Sequence, residues 1–124
     1  ALHWMYRACL TEDDNLMREA MDQIYSTIEY TTGAEGIQYD NSFTQHGHQL
    51  HIGAYGDVFL DGITKACSYA AGTRFTVTGQ QLDILSSLVN TYIGTIRGGY
   101  MSYNVIGRSS TPVQPRREQA SSNA

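Results

Sequence analysis

Apolar residues recur at helical spacing in four stretches of this chain, and the unusual residues lie in the gaps between them. The first stretch, Leu2 to Leu10, predicts a short helix ending near Leu10. Thr11 followed by Glu12, Asp13 and Asp14 reads as the next start, because acids in a first turn complement the helix dipole. That second helix is predicted from Glu12 to Tyr30, with Met17, Ala20, Met21, Ile24 and Ile28 on one face and Gly33 closing it. Both methionines read as core. A third helix starts at Ala54 or Tyr55, carries Val58, Phe59, Ile63, Ala66 and Ala70 along one side, and stops at Gly72. A β-prone run from Arg74 to Val77 leads to Thr78, a capping residue. The fourth helix, Gly79 to Arg97, has the clearest period, through Leu82, Leu85, Leu88, Val89, Tyr92, Ile93 and Ile96, and Gly98-Gly99 ends it.

Two segments carry no helical period. Residues 33–54 are polar and broken by Gly33, Gly36, Gly47, Gly53 and the turn-prone pair Asp40-Asn41, which predicts a long loop between two helices. Tyr100 to Ile106 alternates loosely before Gly107-Arg108. From Ser109 onward Ser, Pro, Gln, Arg and Asn dominate, and a disordered tail is expected over 110–124.

Composition narrows the partners. A chain of 124 residues is about one domain long. Its net charge of −4 argues against a nucleic-acid binder, which would collect phosphates on a basic face. No apolar run approaches the ~20 residues of a membrane span, so no membrane partner is expected. Nor is there a basic-then-apolar leader at the N-terminus. Nine tyrosines among 41% hydrophobic residues suit a cleft that stacks on flat polar ligands such as sugars. Cys9 and Cys67 lack any paired-motif spacing and leave the redox compartment open.

Three of the four histidines fall in the long loop, which is where chemistry is commonly placed between rigid elements. His46, His48 and His51 offer three imidazoles to a metal, but their spacing fits neither an H-E-x-x-H helix nor a zinc finger, and no cysteine is near. No metal or cofactor is expected. A glycosidase would need two opposed carboxylates; Asp40 reads instead as a turn residue and Asp57 as a first-turn helix acid. A second option is acid–base chemistry without metal, beside a metal-dependent enzyme using His46, His48 and His51, which would carry stoichiometric zinc. His46, Tyr55 and Arg108 can cooperate if the loop and the Gly107-Arg108 turn meet across a cleft. A tyrosine, with an ordinary pKa of ~10, needs a nearby cation or donors to act as a base near neutrality. Tyr55 at a helix N-terminus and the charge of Arg108 would supply that help. The set suits removal of a proton beside a carboxylate with protonation of a leaving oxygen, which is β-elimination.

These residues resemble a known family. Gln45-His46-Gly47-x-Gln49-Leu50, then Tyr55-Gly56, with Asp40-x-Ser42-Phe43 before and Gly107-Arg108-Ser109 after, is similar to the helical catalytic domain of polysaccharide lyase family eight, over roughly Trp4 to Ser109. That family contains chondroitin AC, hyaluronate and xanthan lyases, and the Gln-His-Gly-His-Gln-Leu form looks nearer to the chondroitin enzymes. The resemblance implies an all-α fold, a partial (α/α) toroid of helical hairpins over residues 1–109, with a long catalytic loop. In the family the toroid is followed by β-sandwich domains. It implies that His46 holds the uronate and assists proton removal, and that Tyr55 takes the C5 proton and protonates the glycosidic oxygen. Arg108 would contact the substrate and lower the tyrosine pKa. Gln45, Gln49 and Asn104 are expected to bind substrate.

The departures are specific. The family's Asn-Trp-Trp stretch, whose asparagine neutralises the uronate carboxylate, has no match before Asp40 and would lie before Ala1. A second arginine followed by proline is replaced by Ser109-Ser110-Thr111-Pro112, and Arg116 and Arg117 do not align with it. A supporting glutamate would fall after Ala124. The reading is a piece of a longer secreted or periplasmic lyase that acts on acidic polysaccharide, partnered by the rest of its parent chain and nearly inactive alone. The rival reading is a non-catalytic helical module that binds acidic sugars through the same loop.

Overall fold

A computed structural model describes residues 2–107. Arg108, Ser109 and the expected tail over 110–124 lie outside the described residues. The chain is mainly helical, with helices α1 (Leu2–Thr11), α2 (Asp14–Tyr25), α3 (Tyr55–Ala70) and α4 (Gly79–Thr95). The all-α expectation needs correcting, because six short strands accompany them among the described residues. Strands β1 (Tyr30–Thr31), β2 (Gly36–Gln38), β3 (Phe43–Gln45) and β4 (Gln49–Leu50) form one sheet in that order, and β5 (Ile96–Arg97) and β6 (Tyr100–Met101) form a hairpin.

α1 and α2 make a helical hairpin. The start of α2 is capped by Asp13, whose carboxylate accepts the Leu16 amide at 3.0 Å, rather than by Thr11. The Thr11 hydroxyl instead donates back to the Arg7 carbonyl at 2.9 Å, so Thr11 stays the last residue of α1. α2 stops at Tyr25, well short of the expected Tyr30. There the hydroxyls of Ser26 and Thr27 donate to the carbonyls of Gln23 and Ile24, offering the backbone an alternative to another helical turn. Ile28 still reaches the core, buried to 1%, from a non-helical segment.

The expected loop over 33–54 therefore carries three of the four strands of a small sheet. β1 pairs parallel with β2, and β2–β3 and β3–β4 are antiparallel, with Ile37 opposite Phe43 and Gln45 opposite Gln49. Ile37 and Phe43 point into the core, which anchors the sheet on the helices. The β-prone run Arg74–Val77 forms no strand, and Gly98-Gly99 turns a hairpin after α4.

α3 buries Ile63, Ala66 and Ala70 as expected, together with Gly56, Asp57 and Leu60, and Phe59 packs against the core, whereas Val58 is exposed. α4 faces it with Ile84, Leu85, Leu88 and Tyr92 buried, whereas Leu82 and Ile93 are exposed. Asp57 is not the exposed first-turn acid its position suggests. It is buried, and the Tyr92 hydroxyl donates to its Oδ1 at 2.5 Å, tying the first turn of α3 to α4. Removing that hydroxyl withdraws a donor from a buried carboxylate. Tyr92→Phe is therefore expected to lower stability by about 1.5–3 kcal/mol, the range for hydrogen bonds to charged groups, read as a shift of the urea midpoint.

Candidate active site

The β3–β4 connection and the start of α3 bring three rings together. Because Gln45 pairs with Gln49, the connection is His46-Gly47-His48, and His46 and Gly47 both take left-handed backbone, with φ of 56° and 79°. His46 Nε2 lies 3.0 Å from the Tyr55 hydroxyl. The two rings meet edge-on, with centroids 5.0 Å apart. Tyr55 is half-buried and begins α3, where free backbone N–H groups and the helix dipole favour negative charge.

His51 completes the cluster. It is 5% exposed and edge-on to both neighbours, with ring centroids 5.3 Å from Tyr55 and 5.8 Å from His46. Neither ring nitrogen has a hydrogen-bond partner among the described residues. Its backbone does local work: the amide donates to the Phe43 carbonyl at 2.9 Å, and its carbonyl accepts the amides of Ala54 and Gly56, fixing how the chain enters α3.

A second segment closes on this loop. The Gly53 amide donates to the Val105 carbonyl at 2.8 Å, across a contact so close that a Cβ on Gly53 would lie 2.5 Å from Met101 Sδ and 2.6 Å from Ile106 Cγ2. The same approach sets Gly107 against the His51 ring. Residue 107 immediately precedes Arg108, the third expected member of the site, which lies outside the described residues.

The other expected residues are placed as follows. Gln45 is half-buried, and its amide nitrogen donates to the Glu35 carboxylate. Gln49 is exposed on β4, and Asn104 is exposed on the 3₁₀ turn Tyr103–Val105. His48 is exposed at the end of the turn, and among the described residues no set of three His, Cys, Asp or Glu side chains converges to hold a metal ion. Asp40 accepts the Ser42 amide at 2.9 Å, and hydrogen bonds from Ser42 hold its carboxyl below the usual range. It is a turn residue, and Asp57 is engaged by Tyr92, so the two acids serve the fold in place of a glycosidase pair.

Residues 1–121 match the family model described as the N-terminal alpha-helical domain of polysaccharide lyase family 8. This chain belongs to polysaccharide lyase family 8. It is 40% identical over 109 residues to the chondroitinase-AC of Pedobacter heparinus, covering 87% of this chain and 16% of that protein. It is 32% identical over 104 residues to hyaluronate lyase HylA of Cutibacterium acnes, covering 83% of this chain and 13% of that one. The chain thus spans about a sixth or less of the curated relatives it matches.

Among solved structures, a chondroitinase AC lyase described in complexes with oligosaccharides superposes with a TM-score of 0.84 at 36% identity, over 93% of this chain and 18% of that one. The chondroitin AC lyase of Streptomyces coelicolor A3 in complex with chondroitin sulphate gives 0.79 over 94% of this chain and 17% of that one. At 24% identity the second match speaks to the fold alone. The chain therefore matches the family 8 helical domain in fold, and it brings His46, in the turn after β3, into contact with Tyr55 at the start of α3.

Glu35, the burial of His51 against Tyr55 and the close approach of Gly53 and Gly107 are features the sequence reading missed. The glycines were visible as punctuation, but their partners lie up to 56 residues away, beyond any local pattern.

Proposed function

We propose that these residues form part of the catalytic centre of a lyase that cleaves uronic-acid-containing glycosaminoglycans, of the chondroitin or hyaluronan type, by β-elimination. The observation that carries this reading is the 3.0 Å hydrogen bond between His46 Nε2 and the Tyr55 hydroxyl at the start of α3. Tyr55, as phenolate, takes the proton from C5 beside the uronate carboxylate. The electrons left on C5 form the C4–C5 double bond as the C4–O bond breaks. The departing glycosidic oxygen then takes the proton from the Tyr55 phenol, so one side chain serves as base and acid. His46 orients that hydroxyl and steadies the sugar, and Arg108 supports the phenolate. Relatives named chondroitinase and hyaluronate lyase favour an acidic glycan as substrate.

The helices belong, in this reading, to an incomplete (α/α) toroid of a secreted parent chain. Large apolar side chains that face outward support it: Trp4, Leu10, Leu82 and Ile93 are 51%, 87%, 44% and 43% exposed, and neighbouring helices would cover them.

The test is release of unsaturated uronate, followed by its ultraviolet absorbance, on chondroitin and hyaluronan. The full-length protein that carries these residues is expected to generate it, and the 124-residue chain alone is expected to give little. Full-length protein that binds either polymer without forming the double bond would overturn the lyase reading in favour of a binding module.

A further inference from the structure

The turn that presents His46 is held by a carboxylate that the reaction does not use. His46 adopts φ of 56°, a conformation that non-glycine residues adopt uncommonly, and the next residue is left-handed too. Two successive left-handed residues suit a tight hairpin turn, and a hydrogen-bonded partner can hold the turn further. Glu35 supplies one. Its Oε1 accepts the Gly47 amide at 3.1 Å, and its Oε2 accepts the side-chain amide of Gln45. One carboxylate therefore grips the residues on either side of His46 while leaving the imidazole free to meet Tyr55.

Glu35 is itself held from behind. It sits in the β1–β2 connection, where the Thr31 hydroxyl donates to the Ala34 carbonyl at 3.0 Å. Gln38 Nε2 reaches the Thr31 and Thr44 hydroxyls at 3.0 and 2.9 Å and the Ala34 and Gly36 carbonyls at 3.0 and 3.1 Å. This staple joins the β1–β2 connection to β3, the strand that leads into the His46 turn. The grip of Glu35 thus bears on a braced backbone.

We infer that Glu35 is a positioning residue for the elimination reaction, acting through the His46 turn. The inference rests on the lyase reading above for its kinetic consequence and on geometry alone for its structural one. Among the described residues, the side-chain hydrogen bonds of Glu35 go to Gln45 and Gly47 and not to either ring of the His46–Tyr55 pair. Its contribution is to hold the backbone conformation that sets His46 Nε2 at hydrogen-bond distance from the phenol.

Two variants in the full-length protein test it. Glu35→Ala removes both acceptors, so the Gly47 amide turns to water and the turn relaxes. Because a misplacement of about 1 Å at a reacting group can cost ~10²-fold, kcat is expected to fall roughly 10- to 100-fold. Glu35→Gln keeps one acceptor for Gly47, and its new amide can donate to Gln45 once that side chain turns its oxygen over, so it should recover to within about 5-fold of the parent. Glu35 is exposed, so neither change opens the core.

Crystal structures supply the second readout. The His46 Nε2 to Tyr55 Oη separation should exceed hydrogen-bond distance in Glu35→Ala and stay near that of the parent in Glu35→Gln. An unmoved His46 in Glu35→Ala overturns the inference, as does a Glu35→Gln enzyme as impaired as Glu35→Ala. If the parent shows no lyase activity, the functional reading fails and the two structures still decide the clamp.

Discussion

Tyr55→Phe in the full-length protein is expected to lower lyase turnover by about 10²- to 10⁴-fold, the range for losing a positioned acid or base. KM and polymer binding should change little. The substitution keeps the ring, its edge contacts to His46 and His51 and its place at the start of α3, and removes only the oxygen 3.0 Å from His46 Nε2. That oxygen has two tasks in the proposed reaction, accepting the C5 proton and returning it to the leaving oxygen, so no step proceeds by its usual route without it. Initial rates of unsaturated-uronate formation and an independent binding isotherm on the same polymer separate the outcomes. A loss of binding equal to the loss of rate would mean that Tyr55 holds substrate and does not transfer the proton. An unchanged rate would remove it from the mechanism altogether.

Gly107→Ala is expected to be the most damaging small substitution among the described residues. A Cβ there would strike the His51 ring, falling 2.6 Å from Nδ1 and against Cε1, at a residue whose φ is 51°. Left-handed strain of about 1 kcal/mol and overpacking of about 1–3 kcal/mol together predict a loss of roughly 2–4 kcal/mol. His51 is edge-on to Tyr55 and His46, so a displaced His51 ring would push on the pair proposed to do the chemistry. Turnover should therefore drop along with stability. Gly62→Ala is the control: inside α3, with nothing within 4 Å of an added Cβ, it should gain about 0.5–1 kcal/mol. Thermal unfolding of the two variants decides the matter, and a Gly107→Ala protein as stable as the parent would show that His51 has room to move.

Legibility in the sequence followed the range of the interaction. α4 was readable because Leu85, Leu88 and Tyr92 recur within one element, and α3 was placed from Ala54 or Tyr55 and begins at Tyr55. α2 was overextended because Ile28 keeps the helical spacing and reaches the core although the helix has ended three residues earlier. The sheet escaped notice because two- and three-residue strands are too short to display a period of two. At the site, His46 and Tyr55 were found through a compact motif, and they do touch. Glu35 looked like any solvated acid, because what distinguishes it is a grip on Gln45 and Gly47 that only the folded sheet creates. His51 was weighed only as a metal ligand, since its burial depends on chain that arrives from residue 107.

The left-handed backbone at His46 also narrows the substitution repertoire of that position. Asparagine and aspartate share histidine's tolerance for that region, whereas a β-branched side chain there would be a steric outlier. A descendant of this protein that exchanged the imidazole for another chemistry could draw on only a short list of polar side chains without rebuilding the turn first.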